Sequence, residues 1–63
     1  MERPGRFVDH RYLGDKRTQV VYDVDEAVDV EVVTELAASA HTQTFGPDTL
    51  AEARNRGYRL RQI

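Results

Sequence analysis

The 63-residue sequence contains no cysteine and no tryptophan, and only five of its residues are aromatic. Without cysteine the chain can form neither disulfides nor thiolate metal sites. No segment approaches the roughly 20 apolar residues that a membrane-spanning helix needs. The first residues lack the apolar core of a secretory signal peptide, so we expect a cytoplasmic or virion protein that is not secreted by a signal peptide. A chain this short needs an economical core or a partner.

Charge is arranged in three blocks along a chain whose formal net charge is -2. Residues 1–22 carry a net +2, residues 23–36 a net -6, and residues 37–63 a net +2. This order allows ion pairs within one chain or head-to-tail contacts between copies. A solvated surface is the simplest interpretation, because exposed ion pairs contribute only about 0–1 kcal/mol each.

A β-hairpin is predicted near the beginning of the chain. Residues 18–24 have the strongest strand pattern, because β-branched and aromatic residues alternate there and share one face. The residues of that face are Val20, Tyr22 and Val24. Tyr12-Leu13 is expected to pair with this strand through a loop of residues 14–17, where Gly-Asp favours a turn. Residues 41–45 are expected to contain a short third strand.

A first helix is predicted from Asp29 to Ala40. Asp29 suits the N-cap, and Glu31 adds negative charge to the first turn, where the helix dipole favours it. Apolar residues recur at helical spacing along one face. The residues of this face are Val33, Leu36, Ala37 and Ala40.

A second helix is predicted with Gly46 as its cap, Pro47 at its first helical position and Asp48 in its first turn. Phe45 and Leu50 would then form a hydrophobic staple across that first turn. Gly57 is expected to end the helix, because glycine adopts the left-handed conformation that helix C-caps require. Alternating residues after Gly57 indicate a short final strand.

These elements predict an α+β fold, in which the hairpin and the short third strand pack on one or two helices. Residues 1–6 are expected to form a flexible N-terminal arm, and residues 7–63 a single small domain. The predicted core consists of Phe7, Leu13, Val20, Tyr22, Val33, Leu36, Phe45, Leu50 and Tyr58. So small a core predicts that part of the surface is buried against a neighbouring protein.

The sequence offers no catalytic motif. Its one serine, Ser39, lies outside a G-x-S-x-G motif, and no glycine-rich phosphate loop is present. We therefore expect neither enzymatic activity nor a cofactor or small-molecule substrate. A metal site would have to combine His10 and His41 with the carboxylates of residues 23–29, and it stays open as a further hypothesis.

Two segments resemble parts of small Ada-type metal-binding modules. Residues 12–22 resemble their opening hairpin, and Thr44-Phe45, followed by a helix and Arg56-Gly57-Tyr58-Arg59, resembles their second half. The resemblance spans about residues 12 to 60 and implies a small α+β module. The chain is also similar to small proteins encoded among the structural genes of actinobacterial phages.

The metal ligands of the Ada-type pattern are all missing from this chain. Tyr22 stands where the pattern places a histidine, and Glu26 stands near its first cysteine. The terminal cysteine pair would begin near Arg61. The resemblance therefore implies a degenerate, zinc-ribbon-like module without metal, in which a partner surface has taken over the stabilising role of zinc.

The first functional hypothesis is a non-enzymatic structural or interaction protein. It would be a small subunit docked on a larger assembly or a homo-oligomer, and the phage resemblance implies a minor, decoration or connector protein of a virion. No membrane contact is expected. The candidate partner-binding residues are Arg3, Arg6, Arg54, Arg56, Tyr58, Arg59 and Arg61.

The alternative is a small nucleic-acid-binding or regulatory module built on the C-terminal arginines and Tyr58. Arginines neutralise phosphates, and an aromatic ring between them can stack on a base. The acidic balance of the chain, with a pI of about 5.5, opposes binding to a polyanion. Nucleic acid is therefore the less favoured partner.

Overall fold

A computed structural model describes residues 1–63 and shows a four-stranded sheet with two helices. In chain order the elements are a 3₁₀ helix (Gly5–Phe7), β1 (Tyr12–Asp15), β2 (Val20–Asp23), α1 (Val30–Ala38), β3 (Thr42–Gln43), α2 (Leu50–Asn55) and β4 (Arg59–Leu60). The strand order is β3-β1-β2-β4. β1 runs antiparallel to β2 and β3, and β4 runs parallel to β2. The predicted α+β class is confirmed, and the final strand joins the sheet.

The hairpin turn lies later in the chain than the predicted loop. Gly14 and Asp15 belong to β1, and the turn comprises residues 16–19, with Gln19 in the left-handed region at a φ of 54°. Gly14 is needed within the strand because the ring of Tyr58 packs against it. A Cβ at Gly14 would lie 2.8 Å from Tyr58 Cε2. The glycine therefore permits a close contact and does not form the turn.

Both faces of the sheet bury apolar side chains. One cluster, which includes the buried residues of α1, comprises Phe7, Leu13, Tyr22, Val24, Ala27, Val33, Leu36 and Ala37. The other, which includes Ala53 of α2, comprises Val21, Phe45, Ala53 and Tyr58. Neighbouring residues of a strand point to opposite faces, so Tyr22 and Val21 enter different clusters.

Seven of the nine predicted core residues are buried, namely Phe7, Leu13, Tyr22, Val33, Leu36, Phe45 and Tyr58. Val20 and Leu50 are only half-buried. The alternation pattern missed Val21, which is fully buried, because it assumed that one side of β2 faces solvent. The second cluster covers that side.

Helix α1 begins as predicted and ends earlier. The Asp29 carboxylate accepts a hydrogen bond from the Val32 amide at 3.4 Å, as an N-cap does. Ser39 follows the last helical residue, and its hydroxyl donates to the Leu36 carbonyl at 2.7 Å. Ala40 therefore lies outside the helix and is exposed. Neither α1 nor α2 is long and apolar enough to cross a membrane.

The predicted start of α2 is wrong. The helix begins at Leu50, and Thr49 is its N-cap, with a side-chain oxygen that accepts from the Glu52 amide at 3.1 Å. Asp48 precedes the helix because its carboxylate accepts hydrogen bonds from the backbone amides of Arg11 and Tyr12. Gly57, at a φ of 86°, ends the helix as predicted.

The first six residues, which we expected to form a flexible arm, fold against the domain. The Met1 amino group donates to the carbonyls of Val24, Asp25 and Ala27 at 3.0–3.2 Å. Arg3 also binds the Asp25 carboxylate. Opposite charge explains the difference, because the positive chain start meets the loop that belongs to the acidic block.

Candidate interaction surface

Three of the four arginines near the beginning of the chain have carboxylate partners within the chain. Arg3 Nε lies 2.8 Å from Asp25 Oδ1. Arg11 donates from Nε and Nη2 to the two carboxylate oxygens of Asp23, at 2.9 Å each. The hydrogen bond from Arg3 lowers the pKa of Asp25, and the bonds to Asp23 raise the pKa of Arg11. Two carboxylates of the acidic block are thus paired with arginines of residues 1–22.

Arg17 joins the hairpin to α1. Its Nε lies 3.0 Å from Asp15 Oδ1, and its Nη2 lies 3.1 Å from Glu35 Oε2. Asp15 is buried and also accepts a hydrogen bond from the Arg17 amide at 2.9 Å. The bonds from Arg17 lower the pKa of Asp15. This arrangement fixes the turn and connects it to the helix.

The C-terminal arginines have fewer partners. Arg56 Nε lies 2.9 Å from Glu52 Oε1 on the same helix. Arg54, Arg59 and Arg61 are exposed, and no carboxylate lies within 4.0 Å of them. No carboxylate of the acidic block forms an ion pair with them, and Asp23 and Asp25 bind the N-terminal arginines. These three side chains are the free basic groups of the C-terminal segment.

Tyr58 belongs to the core and does not offer a ring face to a ligand. It is 8% exposed, and its ring meets the Phe45 ring edge-on, with centroids 5.3 Å apart. The period of two on β4 explains this position, because Tyr58 and Leu60 pack on the second cluster while Arg59 and Arg61 alternate with them. The ring of Tyr58 is therefore not accessible for the predicted stacking on a base.

The predicted partner-binding residues do not form one surface. Arg3 is ion-paired, the guanidinium of Arg6 lies 5.1 Å from the centroid of the Phe7 ring, Arg56 is paired within its helix, and Tyr58 is buried. Of the free arginines, Arg54 lies in the last turn of α2, Arg59 lies on β4, and Arg61 follows β4.

An open groove of about 520 Å³ lies between the loop after β2 and the tail after β4. We call it the loop–tail groove, and its lining residues are Asp23, Glu26, Ala27, Val28, Leu60, Arg61, Gln62 and Ile63. The Ile63 carbonyl joins its two walls by accepting from the amides of Val28 and Asp29, at 2.9 and 3.0 Å. The sequence analysis did not predict this groove. Val28, an apolar residue among acidic ones, was the signal that could have indicated an exposed apolar site.

The loop–tail groove combines an exposed apolar side chain with charges of both signs. Val28 is 83% exposed, more than any other large apolar side chain in the chain. Glu26 lies on the loop wall and Arg61 on the tail wall, and the two do not form an ion pair. A second groove of about 470 Å³ lies between residues 1–4 and α1, beside Val30.

The residues considered for a metal site are separated or already bound. No group of three or more histidines, aspartates or glutamates comes together in an arrangement that could hold a metal ion. Asp23 and Asp25 bind arginines. The Nδ1 atom of His10 is buried without a hydrogen-bond partner.

No family model matches this chain, and neither the curated proteins nor the solved structures contain a match. The resemblance to Ada-type modules stays a prediction. Of the residues of this chain that stand at or near ligand positions of that pattern, Tyr22 lies in the first core cluster. The other two, Glu26 and Arg61, line the loop–tail groove.

Proposed function

We propose that this protein is a small, non-enzymatic interaction subunit that docks on an acidic protein surface of a larger assembly. The observation that carries the proposal is that three of the four arginines in the C-terminal segment, Arg54, Arg59 and Arg61, have no carboxylate partner, whereas only Arg6 of the four near the beginning of the chain has none. Arginine forms two parallel hydrogen bonds with a carboxylate, which adds geometric specificity to the charge attraction. A partner that presents spaced carboxylates matches this chemistry.

The positions of these arginines favour binding over a role in the fold. Arg59 and Arg61 lie on and after β4, which is an edge strand of the sheet. Their backbone amides already bind the carbonyls of Gln19 and Val21 at 3.0 Å. The backbone therefore fixes where the side chains start, while the guanidinium groups stay in solvent. A docking partner can reach them without a change in the domain.

A virion is the assembly that we propose, with the protein as a minor, decoration or connector component. The similarity to small proteins encoded among phage structural genes supports this proposal. Within such an assembly, Arg54, Arg59 and Arg61 would be available for docking, since no internal ion pair occupies them. Nucleic acid is the competing partner, and it is an outcome of the following test.

The test compares two double variants of equal charge. Arg54→Glu/Arg59→Glu removes free arginines of the C-terminal segment, and Arg6→Glu/Lys16→Glu changes the charge equally at exposed residues elsewhere. Each variant is titrated with fluorescent poly-L-glutamate and with a DNA duplex at several salt concentrations. We expect Arg54→Glu/Arg59→Glu to lose at least about tenfold in poly-L-glutamate affinity, or about 1.4 kcal/mol.

Equal losses in both double variants would contradict the proposal, because they would report net charge only. Binding to the DNA duplex with a steep salt slope, and none to poly-L-glutamate, would establish the nucleic-acid alternative instead. Circular dichroism of both variants checks that the fold is retained.

A further inference from the structure

We infer that the loop–tail groove binds a second copy of this chain, in a two-fold dimer that inserts Val28 of each copy into the groove of the other. This inference goes beyond the proposed docking on an acidic partner, because it rests on the groove and shares only Arg61 with that proposal, so that Arg54 and Arg59 stay free in the dimer. The groove and its charges carry it.

The apolar part of the groove lacks a cover within the chain. Val28 is 83% exposed at the rim. The groove also contains Leu60 and Ile63, which are half-buried, and the buried Ala27. A branched side chain that enters the groove would contact these residues and lose its own contact with water. Val28 of a second copy supplies such a side chain.

Two copies of the groove that are related by a two-fold axis can present opposite charges to each other. Glu26 lies on one wall and Arg61 on the opposite wall, and they are not paired within the chain. A two-fold axis brings the same patch of each copy together, so the loop wall of one copy meets the tail wall of the other. Glu26 then faces Arg61 of the second copy, and this contact occurs twice.

Other occupants match the groove less well. A wholly acidic peptide would meet Glu26, and a wholly basic peptide would meet Arg61. Pairing of two β4 edges around Leu60 would place Arg59 opposite Arg61 of the other copy, and like charges opposite each other destabilise a strand pair. The dimer contact therefore involves the groove and not the strand edge.

Sedimentation equilibrium of the whole chain tests the dimer, from about 10 μM to about 1 mM, which spans moderate and weak affinities. We expect concentration-dependent dimers of the unmodified chain and monomers of Val28→Glu. Val8→Glu is the matched control, because Val8 is 57% exposed and lines neither groove. Monomers of the unmodified chain at the highest concentration, or equal losses in both variants, would overturn the inference.

A charge exchange tests the two-fold arrangement. Arg61→Glu and Glu26→Lys should each dissociate the dimer, since each places like charges in contact. An equal mixture of the two variants should form heterodimers again, because both contacts regain opposite charges. A mixture that stays monomeric would overturn the arrangement. Arg54→Glu/Arg59→Glu should dimerise like the unmodified chain, so failure of the proposed docking and failure of the dimer remain separate results.

Discussion

Arginines near the two ends of this chain have opposite surroundings. Arg3, Arg11 and Arg17 bind carboxylates at 2.8–3.1 Å, whereas Arg54, Arg59 and Arg61 have none within 4.0 Å. The exceptions are Arg6, which has no carboxylate partner, and Arg56, which pairs with Glu52. Asp23, Asp25 and Glu35 of the acidic block pair with arginines of the first basic segment, and none of its carboxylates pairs with the second. Residue type and net charge alone do not distinguish the two groups, because residues 1–22 and 37–63 each carry +2.

This difference indicates that the paired N-terminal arginines contribute to the stability of the fold, whereas the unpaired C-terminal arginines are available to bind a partner. The N-terminal arginines tie the chain start, the hairpin and α1 to the acidic block. The C-terminal segment contributes to the fold through Tyr58, which packs on Gly14 and Phe45. Its arginines contribute charge to the surface. Substitutions at the two ends should therefore affect different measurements.

The largest effect is expected for Tyr58→Ala, which removes a buried core residue from the middle of the C-terminal arginines. Removal of a buried aromatic ring costs about 3–5 kcal/mol. A domain of this size has a total stability of the same order, so the variant should be largely unfolded at 25 °C. Urea denaturation followed by circular dichroism measures the loss. Tyr58→Phe, which keeps the ring, serves as control, and a stable Tyr58→Ala variant would contradict the assignment of Tyr58 to the core.

A smaller loss is expected for Asp15→Ala in the hairpin. Asp15 is buried and accepts hydrogen bonds from the amide and the guanidinium of Arg17. Hydrogen bonds to charged groups contribute about 1.5–3 kcal/mol, so the free energy of unfolding should fall by about that amount. Asp9→Ala, at an exposed aspartate without an ion pair, is the control in the same urea experiment. Equal losses of unfolding free energy in the two variants would show that the hydrogen bonds between Asp15 and Arg17 do not stabilise the fold specifically.

Acid should weaken the N-terminal network and leave the C-terminal arginines unaffected. Hydrogen bonds from Arg17 and Arg3 lower the pKa of Asp15 and Asp25. A carboxyl group whose pKa is lowered by folding stabilises the fold above its unfolded pKa of about 3.9, and this contribution is lost as the pH falls through the lower folded value. The urea midpoint should therefore not change with pH near neutrality, and it should decrease as the pH is lowered below about 4.

The difference in urea midpoint between the unmodified chain and Asp15→Asn should narrow over the same pH range, since protonated aspartate resembles asparagine. Arg59→Ala should keep the acid dependence of the unmodified chain. A constant difference between the unmodified chain and Asp15→Asn down to pH 2 would show that the ionised carboxylate is not the stabilising group.

The smallest effect on stability is expected for Arg54→Ala and Arg59→Ala. Both side chains are exposed and unpaired, and surface substitutions of this kind change the free energy of unfolding by no more than about 0.5 kcal/mol. The same variants should weaken binding to poly-L-glutamate. A stability loss as large as that of Asp15→Ala would show that these arginines belong to the fold, and the contrast between the two ends would disappear.

Some local features of the fold were readable from short stretches of sequence. Asp29 caps α1, and Gly57 ends α2, because capping depends on residues within one turn. The start of α2 was also encoded locally, since Thr49 and Glu52 have the spacing of a capping box. The prediction favoured Gly46-Pro47 instead and missed it, because nothing in the local sequence shows that Asp48 binds β1.

Features that depend on distant residues were not predictable in the same way. Val21 is buried because Tyr58, Phe45 and Ala53 cover a face of the sheet that the alternation pattern assigned to solvent. The loop–tail groove exists only because β4 pairs in parallel with β2 and carries Arg61 to the loop that contains Glu26 and Val28. The predicted partner-binding residues were separated for the same reason.

Local sequence patterns were sufficient to predict the α+β class, the hairpin, two helices, most of the large core residues and the excess of basic side chains in the last segment. These features follow from periodicity, capping and composition, which act over a few residues. Long-range contacts in the folded domain set which arginines are ion-paired, bury Tyr58 and place Val28 at the rim of a groove. Those outcomes depend on which distant segments meet, and the net charge of each segment did not reveal that the acidic block pairs with the first basic one.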